Sequence, residues 1–414
     1  MTDVRREPIA IVGMGCRFPG ADGPRAYWQL LLDGVDAIRE IPASRFDVNR
    51  YYDSAAATPG RISTRWGGFI ERAEEFDAEF FGISPREAER LDPQQRWLLE
   101  TAWEALEDAG APPSRLAGSR TGVFVGMWIN EYENRLFRDP RSLDFYMTIG
   151  SGRYAASGRL SYAFGFEGPS ITIDSGCSAS LAAVHLACQS LWSGESTLAL
   201  AAGVNAILEP NITIAYSQSR MMAPDGRCKF GDARANGYVR SEGAGIVVLK
   251  RLSEAVAAGD RVYATILGSS LNNDGRSSGF LTTPGSAGQQ QMLRQAYRDA
   301  GIAPATVSYV EAHGTGTRAG DPVELEALGA VLGEGRHPHR PCRVGSVKTN
   351  IGHTEGAAGL AGLIKAALSL HHRVLPKSLH FETPNPDIPW DRLPLRIQRE
   401  REPWPETGHE PIAG

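Results

Sequence analysis

Residues 170–208 read SITIDSGCSASLAAVHLACQSLWSGESTLALAAGVNAIL, and this stretch decides the fold class. The short run Ser170–Ile173 is typical of a strand, and residues 178–192 follow as a helix that is apolar on nearly every face. Residues 198–208 form a continuous apolar run, which is typical of a strand in a sheet covered on both faces. A strand, a helix and a second buried strand in succession predict an α/β fold with this helix at its centre.

Strand-like and helical segments alternate along the rest of the chain. The further predicted strands cover residues 9–13, 121–126, 245–249, 261–268, 307–311 and 344–346. The further predicted helices start after Asp92 and at Asp321, and cover residues 289–300 and 354–370. A boundary near residues 253–259 then divides the chain into two α/β halves, 7–253 and 260–377. Residues 378–414 are rich in Pro, Trp and Arg, and we predict that they wrap the surface outside the core.

Composition and charge exclude several classes of protein. The 414 residues include 43 Lys and Arg against 48 Asp and Glu, a net charge of −5, which argues against a partner made of nucleic acid. The longest apolar run, residues 198–208, is far shorter than the ~20 residues needed to cross a membrane. The five cysteines are odd in number and contain no C-x-x-C pair. A disulfide framework is therefore not expected, and a cytoplasmic location fits best.

Gly13 and Gly15 follow the first predicted strand and could suggest a dinucleotide-binding turn. That fingerprint needs a third glycine three residues later, at the start of a helix. Phe18 occupies this position and Pro19 follows it. The sequence therefore predicts an ordinary turn that leaves a buried strand.

Residues 275–279 read GRSSG and have the G-x-S-x-G spacing of a serine hydrolase. A nucleophile elbow lies between a strand and a helix, whereas turn-forming residues flank this motif on both sides. A serine hydrolase remains the rival class of enzyme. His337 and His339 have no acidic or sulfur partner at a ligand spacing, so no metal site is predicted.

Cys177 lies at the junction between a predicted strand and the central helix. A thiol at a helix N-terminus is close to the positive end of the helix dipole and to free backbone N–H groups, which favour the thiolate. Gly176 permits a sharp turn, and the small Ser178, Ala179 and Ser180 leave room for an acyl chain. A buried, inert cysteine is the alternative, and it is our interpretation of the four others: Cys16, Cys188, Cys228 and Cys342.

Two histidines share a similar setting. His313 lies in EAHGTGT after a predicted strand, and His353 lies in KTNIGHTEG between a strand and a helix rich in small residues. Asp321 and Glu324 belong to the sequence DPVE, a capping box that predicts the start of a helix soon after His313. An α/β sheet places its ligands at such strand-to-helix junctions. Either histidine alone could be structural. Two histidines and a similarly placed cysteine together indicate a catalytic site.

These motifs together resemble the ketosynthase domain of a type I polyketide synthase, a β-ketoacyl-acyl-carrier-protein synthase. Besides the cysteine and histidine motifs, the matching stretches are PIAIVGMGCRFPG at 8–20, FFGISPREA at 80–88 and LDPQQR at 91–96. The resemblance extends over essentially the whole chain, with its motifs in the order of the family. It implies a thiolase-like fold of two similar α/β halves in five layers, and a homodimer.

The resemblance also implies the chemistry of the site. Cys177 would hold the growing acyl chain as a thioester. His313 and His353 would hold the carbonyl of a malonyl-type thioester while it loses CO₂, and the resulting carbanion would attack the acyl group. Two neutral imidazoles can donate N–H groups to the oxygen on which negative charge develops. The domain itself would bind no cofactor, because phosphopantetheine arrives on an acyl carrier protein, and an acyltransferase domain would lie nearby in the parent synthase.

Further residues match supporting positions of the family. Thr315 and Thr317 resemble the hydroxyls that bind the phosphopantetheine arm. Lys348 resembles the lysine that supports the second histidine. Asp321 and Glu324 resemble a supporting acidic pair, although the capping role explains them equally well.

The sequence departs from the family in two places. The nucleophile segment reads DSGC from Asp174 to Cys177, where the family usually has DTAC, and this changes the flexibility of the loop more than its chemistry. The chain ends at Gly414, before the strand and glycine-rich loop with which the family continues. We therefore expect a domain cut short, poorly soluble and inactive on its own. The rival from another class is a non-catalytic ketosynthase-like partner, which typically lacks the cysteine or one histidine.

Overall fold

Strands with long apolar runs form the centre of the fold. The computed structural model describes residues 6–276, 279, 283–337, 339–406 and 408–414. Its strands are β1 (Ile9–Phe18), β2 (Ala21–Asp22), β3 (Arg39–Glu40), β4 (Trp66–Gly67), β5 (Thr121–Met127), β6 (Ser170–Ile173), β7 (Leu198–Asn205), β8 (Gly243–Arg251), β9 (Ala264–Ile266), β10 (Tyr309–Glu311), β11 (Cys342–Gly345), β12 (Val374–Leu375), β13 (Leu395–Ile397) and β14 (Glu402–Pro403).

The helices alternate with these strands, as the sequence predicts. They are α1 (Pro24–Asp33), α2 (Val48–Tyr51), α3 (Pro85–Arg90), α4 (Pro93–Asp108), α5 (Pro113–Leu116), α6 (Glu131–Leu136), α7 (Phe145–Ser151), α8 (Tyr154–Phe164), α9 (Ala179–Ser193), α10 (Asn211–Gln218), α11 (Leu252–Ala258), α12 (Ser286–Ala300), α13 (Gly320–Leu332), α14 (Lys348–Ile351) and α15 (Ala358–His372). The start of α4 is capped as predicted, because the carboxylate of Asp92 accepts a hydrogen bond from the backbone N–H of Gln94.

The larger sheet has the strand order β2-β1-β8-β7-β5-β6, and β9 adds to the edge of β1. Strands β5, β6 and β7 are parallel, whereas β8 pairs antiparallel with both β1 and β7. Every residue of β7 is buried. Because successive side chains of a strand point to opposite faces, this strand supplies apolar groups to two cores at once. The prediction of a sheet covered on both faces is confirmed for β7.

The two faces of this sheet are covered by different helices. Leu200 and Val248 share one apolar cluster with Leu98 of α4, while Val247 belongs to a second cluster with α9 and α15. The smaller sheet, β10-β11-β13, is parallel and lies beyond α15. Its far face packs against α12 and α13. The order helices, sheet, helices, sheet, helices is the five-layered arrangement of a thiolase-like fold.

The turn predicted at Gly13 and Gly15 is wrong, because both residues lie inside β1. A β-carbon on Gly13 would lie 2.5 Å from the carbonyl oxygen of Ala105, and one on Gly15 would lie 2.5 Å from that of Thr101. The two glycines therefore allow the backbone of α4 to pack directly on the strand. They are packing residues and form no nucleotide-binding loop.

The prediction that residues 378–414 wrap the surface outside the core is also wrong. Strand β13 pairs with β11, and the side chains of Leu395 and Ile397 are buried among those of α13. Near the end of the chain, the N–H of Gly414 donates to the carbonyl of Tyr309 at 2.9 Å. The segment therefore contributes both a strand and apolar side chains to the second sheet.

Two further observations concern the chain as a whole. Helix α11 occupies the region predicted as a boundary between the halves. Among the described residues, no helix is both long enough and apolar enough to cross a membrane.

Candidate active site

Cys177 lies in a short 3-10 turn, Gly176–Ser178, between β6 and the start of α9. Gly176 has a φ of +64°, a left-handed conformation that favours glycine. Its N–H donates to the carboxylate of Asp174 at 3.2 Å, and Arg153 in turn binds Asp174 at 2.7 Å. The strand-to-helix placement predicted for this cysteine is confirmed.

The electrostatic environment of Cys177 differs from the prediction. Burial raises the pKa of its thiol to about 11, the carboxylate of Glu355 adds to this effect, and the ammonium of Lys348 opposes it. The expectation that this site favours the thiolate is therefore wrong for the resting protein, in which the thiol predominates at neutral pH. Burial likewise raises the pKa of three other thiols to about 12, those of Cys188, Cys228 and Cys342.

His313 directly follows β10, and a carboxylate fixes its main chain. The two oxygens of Glu324 accept hydrogen bonds from the N–H groups of His313 and Gly314, at 2.6 and 2.8 Å. Glu324, which lies on α13, therefore fixes the backbone of His313 and Gly314 through these two hydrogen bonds. His313 keeps solvent-accessible surface, although the surrounding protein atoms still desolvate its ring.

The capping box predicted at Asp321 and Glu324 is wrong. Helix α13 begins at Gly320, and neither Asp321 nor the N-cap residue Ala319 makes a side-chain capping hydrogen bond to it. The buried carboxylate of Asp321 accepts instead from the N–H groups of Gly231 and Gly316, at 2.8 and 3.0 Å. The carboxylates of Asp321 and Glu324 therefore bind backbone N–H groups of the loops around His313 and do not cap the helix.

His353 lies between α14 and a 3-10 turn, Glu355–Ala357, that leads into α15. Its backbone N–H donates to the carbonyl of Val239 at 2.8 Å. Its ring is buried, and Nδ1 accepts a hydrogen bond from the backbone N–H of Glu355 at 3.1 Å. Because Nδ1 is an acceptor, the neutral ring carries its proton on Nε2, which is left as a donor.

The imidazole rings of His313 and His353 contact one another edge to face. Their ring centroids are 5.3 Å apart and the planes meet at 87°. Burial and the nearby ammonium of Lys348 lower the pKa of both histidines. Both rings are therefore neutral at pH 7.

The turn that carries Cys177 packs against the Glu355–Ala357 turn beside His353. Lys348 is buried close enough to Cys177 and to both histidines to shift the pKa of each. Burial lowers the pKa of Lys348 itself, and the carboxylates of Glu311 and Glu324 oppose that effect. The structure thus brings together the thiol of Cys177, two neutral imidazoles and the side chain of Lys348.

Thr315 and Thr317 lie in the loop that follows His313. Their hydroxyl oxygens are 3.1 Å apart, and the Thr317 hydroxyl also accepts from the N–H of Gly320 at 3.2 Å. Thr315 is buried and Thr317 half-buried. The two predicted hydroxyls are therefore neighbours on the same loop as the first histidine.

Three residues around His353 have no role in the sequence analysis. Glu355 forms a buried ion pair with Arg240, and Asn205 donates to the same carboxylate. Glu355 lies in the sequence motif around His353, and this position could have identified it as a candidate site residue. No local sequence pattern identifies Arg240, which is 115 positions from Glu355 in the chain.

The other candidate motifs add no site within the described residues. Within the described part of the chain, no group of three or more His, Cys, Asp and Glu side chains could hold a metal ion. The rings of His337 and His339 lie beside one another, with 5.4 Å between their centroids. Ser277 and Ser278 of the G-x-S-x-G motif lie outside the described residues.

Comparison with known proteins identifies the family. The N-terminal domain of β-ketoacyl synthase matches residues 6–255, and the C-terminal domain of β-ketoacyl synthase matches residues 263–382. One component of the phenolphthiocerol/phthiocerol polyketide synthase of Mycobacterium tuberculosis is 50% identical over 400 residues, which are 96% of this chain and 26% of that protein. Another component of the same synthase is 49% identical over 409 residues, 99% of this chain and 22% of that protein.

Solved structures agree with the sequence relatives. The ketosynthase from module 6 of the bacillaene synthase of Bacillus subtilis matches with a TM-score of 0.89 and 42% identity, over 97% of this chain and 68% of that one. An oxazolomycin ketosynthase domain from Streptomyces albus matches with a TM-score of 0.91 and 40% identity, over 96% of this chain and 68% of that one.

The chain belongs to the β-ketoacyl synthase family. Within that family it is a ketosynthase domain of the type I polyketide synthase kind, a condensing acyltransferase with a thiolase-like fold. A serine hydrolase is not favoured. The chain spans about a quarter of the length of the curated relatives described above.

Proposed function

We propose that this ketosynthase elongates a polyketide chain by decarboxylative Claisen condensation, with Cys177 as nucleophile and His313 and His353 as N–H donors. The observation that carries the proposal is the pair of neutral imidazoles, 5.3 Å apart, beside the turn that bears the thiol. A malonyl-type thioester that loses CO₂ develops negative charge on its carbonyl oxygen, and two N–H groups can stabilise that charge.

The first step loads the acyl chain. Cys177 sulfur attacks the carbonyl carbon of an acyl thioester on a carrier protein, a new thioester forms, and the carrier leaves as a thiol that takes the proton from Cys177. Burial raises the pKa of the Cys177 thiol, so the thiol is protonated in the resting protein. It therefore loses its proton as it attacks the acyl carbonyl. The ammonium of Lys348 stabilises the thiolate at that moment.

The second step releases CO₂ from the extender. The carbon–carbon bond to the carboxylate breaks, and its electron pair forms an enolate whose oxygen accepts hydrogen bonds from His313 and from Nε2 of His353. Neutral rings suit this role, because a cationic imidazole would transfer its proton to the enolate and quench it. The lowered pKa of both rings supports this assignment.

The third step forms the new carbon–carbon bond. The enolate carbon attacks the acyl carbonyl on Cys177, and the Cys177 sulfur leaves with the electron pair of the thioester bond. The β-ketoacyl product stays on the carrier protein, and the thiolate recovers a proton from water. Each turnover therefore consumes one acyl thioester and one malonyl-type thioester and releases one CO₂.

The proposed partner is an acyl carrier protein that delivers its substrates on phosphopantetheine. Thr315 and Thr317 are the proposed contacts for the amide groups of that arm, since their hydroxyls lie together on the loop of His313. An acyltransferase domain of the parent synthase would load the extender onto the carrier.

We also propose a homodimer. Strand β6 lies at the end of the larger sheet, and Ile171 on it is exposed. On the adjacent α8, Tyr154 is 67% and Tyr162 is 90% exposed. A sheet edge flanked by exposed aromatic side chains suits a contact between two identical chains. The proposed location is the cytoplasm, since all five cysteines are free.

The test is a single-turnover condensation with the ketosynthase purified as part of its parent synthase. Acyl-carrier and malonyl-carrier thioesters are added in turn, and the carrier is analysed by mass spectrometry for a β-ketoacyl product. Cys177→Ala should give none, whereas Cys188→Ala, which changes a buried thiol on α9, should retain the reaction. A wild-type protein that binds the carrier but forms no product would instead support the non-catalytic partner.

A further inference from the structure

A buried ion pair adjoins the ring of His353 and has no role in the chemistry described so far. The guanidinium of Arg240 binds the carboxylate of Glu355 in a bidentate manner, with Nε–Oε1 at 2.7 Å and Nη2–Oε2 at 3.0 Å. Both side chains are almost completely buried. Burying two charges is costly unless geometry and further hydrogen bonds compensate, and here Asn205 adds one to the carboxylate at 3.0 Å.

Glu355 also has an unusual backbone. Its φ is +44°, in the left-handed region that a residue with a β-carbon rarely adopts. Such a conformation persists only where the surroundings impose it. The anchored carboxylate is the constraint that the structure offers, because it fixes the side chain of Glu355 while the N–H of the same residue binds the histidine ring.

The same N–H group determines the state of His353. It donates to Nδ1 of the imidazole at 3.1 Å, and so places the ring proton on Nε2. A second connection runs through the main chain. His353 donates to the carbonyl of Val239 at 2.8 Å and accepts from the N–H of Ser241 at 2.9 Å, the two neighbours of Arg240. Arg240 and Glu355 therefore hold His353 through its ring and through its backbone.

We propose that Arg240 and Glu355 are positioning residues that hold His353 with its Nε2–H directed at the reacting thioester. Other charged and polar groups complete the arrangement: Nη1 of Arg240 donates to Thr213 at 2.9 Å and lies 3.8 Å from the carboxylate of Glu131. The inference rests on the proposed function, because it assigns the pair to the step in which His353 stabilises the enolate.

The proposed positioning role predicts different effects on the two half-reactions, acyl loading and CO₂ release. Loading of Cys177 needs the thiol and its surroundings but no aligned His353 donor, whereas CO₂ release depends on that donor. We expect the double variant Arg240→Met/Glu355→Leu to load acyl groups within about threefold of wild type. It should release CO₂ about 10–100-fold more slowly, by analogy with loss of the outer contacts that orient a metal-bound histidine. The double variant leaves neither Arg240 nor Glu355 as an unpaired buried charge, and the carboxylate of Glu131 keeps its hydrogen bonds from the N–H groups of Leu208 and Glu209.

A second buried ion pair provides the matched control. Arg45 binds Glu242 at 2.7 Å, and both side chains are almost completely buried. Arg45→Met/Glu242→Leu should lower the melting temperature in a similar way, yet leave the ratio of CO₂ release to loading unchanged. A milder variant, Asn205→Ala, removes one hydrogen bond from the Glu355 carboxylate and one from the carbonyl of Ser241, and it should lower that ratio about 2–10-fold.

The experiment measures acyl loading by intact-protein mass spectrometry, CO₂ release from a malonyl-carrier thioester, and thermal melting for each variant, together with His353→Ala. If His353→Ala releases CO₂ at the wild-type rate, the proposed function itself fails. If His353→Ala is slow but the Arg240/Glu355 variant keeps the wild-type ratio, or changes it no more than the control pair does, the positioning role is overturned. Should neither double variant fold, an unchanged ratio in Asn205→Ala overturns it and a lowered ratio supports it.

Discussion

The imidazole rings of His313 and His353 meet edge to face, with 5.3 Å between their centroids. His313 follows β10, and His353 lies beyond the short helix α14 that follows β11, the parallel neighbour of β10. Parallel pairing places the carboxyl ends of these strands at the same edge, so residues 40 positions apart converge there. Separate groups fix each loop, the carboxylate of Glu324 for His313 and the backbone of Glu355 for His353.

Replacement of either histidine should act after loading. In His313→Ala or His353→Ala we expect CO₂ release from a malonyl-carrier thioester to fall by about 10²–10³-fold, the range for loss of one oxyanion donor. Loading of Cys177 should persist at least in part. CO₂ trapping measured beside intact-protein mass spectrometry separates the two effects, and full-rate decarboxylation in His353→Ala would show that the enolate is stabilised elsewhere.

Loss of Lys348 should make the nucleophile less acidic. The ammonium of Lys348 lowers the pKa of Cys177, so Lys348→Met should raise that pKa and shift alkylation of the thiol to higher pH. The measurement is the rate of iodoacetamide labelling of Cys177 against pH. Lys250→Met is the control, since Lys250 pairs with Asp260 at 2.7 Å. Equal labelling curves for wild type and Lys348→Met would contradict the electrostatic role.

Gly176→Ala should keep the reaction at a small cost in stability. A β-carbon there meets no atom within 4 Å, but the φ of +64° is unfavourable for alanine. We expect the free energy of unfolding to fall by about 1–2 kcal/mol, with loading of Cys177 retained. Urea unfolding and acyl loading test both parts. Loss of loading without loss of stability would mean that the turn requires glycine for chemistry.

Gly13→Ala tests the close packing of α4 on β1. The added β-carbon would lie 2.5 Å from the carbonyl of Ala105 and 2.6 Å from the Ala109 β-carbon. We expect the free energy of unfolding to fall by about 1–3 kcal/mol, as for overpacked cores. Gly158→Ala in α8 meets no atom within 4 Å and should stabilise by about 0.5–1 kcal/mol. Equal urea midpoints for the two variants would contradict the packing role.

Local patterns predicted the elements that carry the site, and long-range contacts account for what they missed. Strand β7 and helix α9 follow directly from their apolar runs, as does the cap at Asp92. The carboxylate of Asp321 had a local capping pattern, yet it binds the N–H of Gly231, 90 positions away. No sequence pattern indicates such a partner.

Strand β13 shows the same limit for the fold. It has only three residues, one of which is Arg396, and prolines surround it, so no alternating pattern can develop. Pairing with β11 nevertheless buries Leu395 and Ile397. Tertiary pairing therefore decides the structure of this segment, where local preference indicates a surface tail.

The most direct test of the account is the position of the acyl group after loading. The purified protein is mixed with an acyl-carrier thioester, digested, and mapped by peptide mass spectrometry. The account predicts one adduct, on Cys177, because the other four cysteines are buried and Cys177 alone is partly accessible. A stoichiometric acyl adduct on Cys188 or Cys228, or loading that persists in Cys177→Ala, would contradict it.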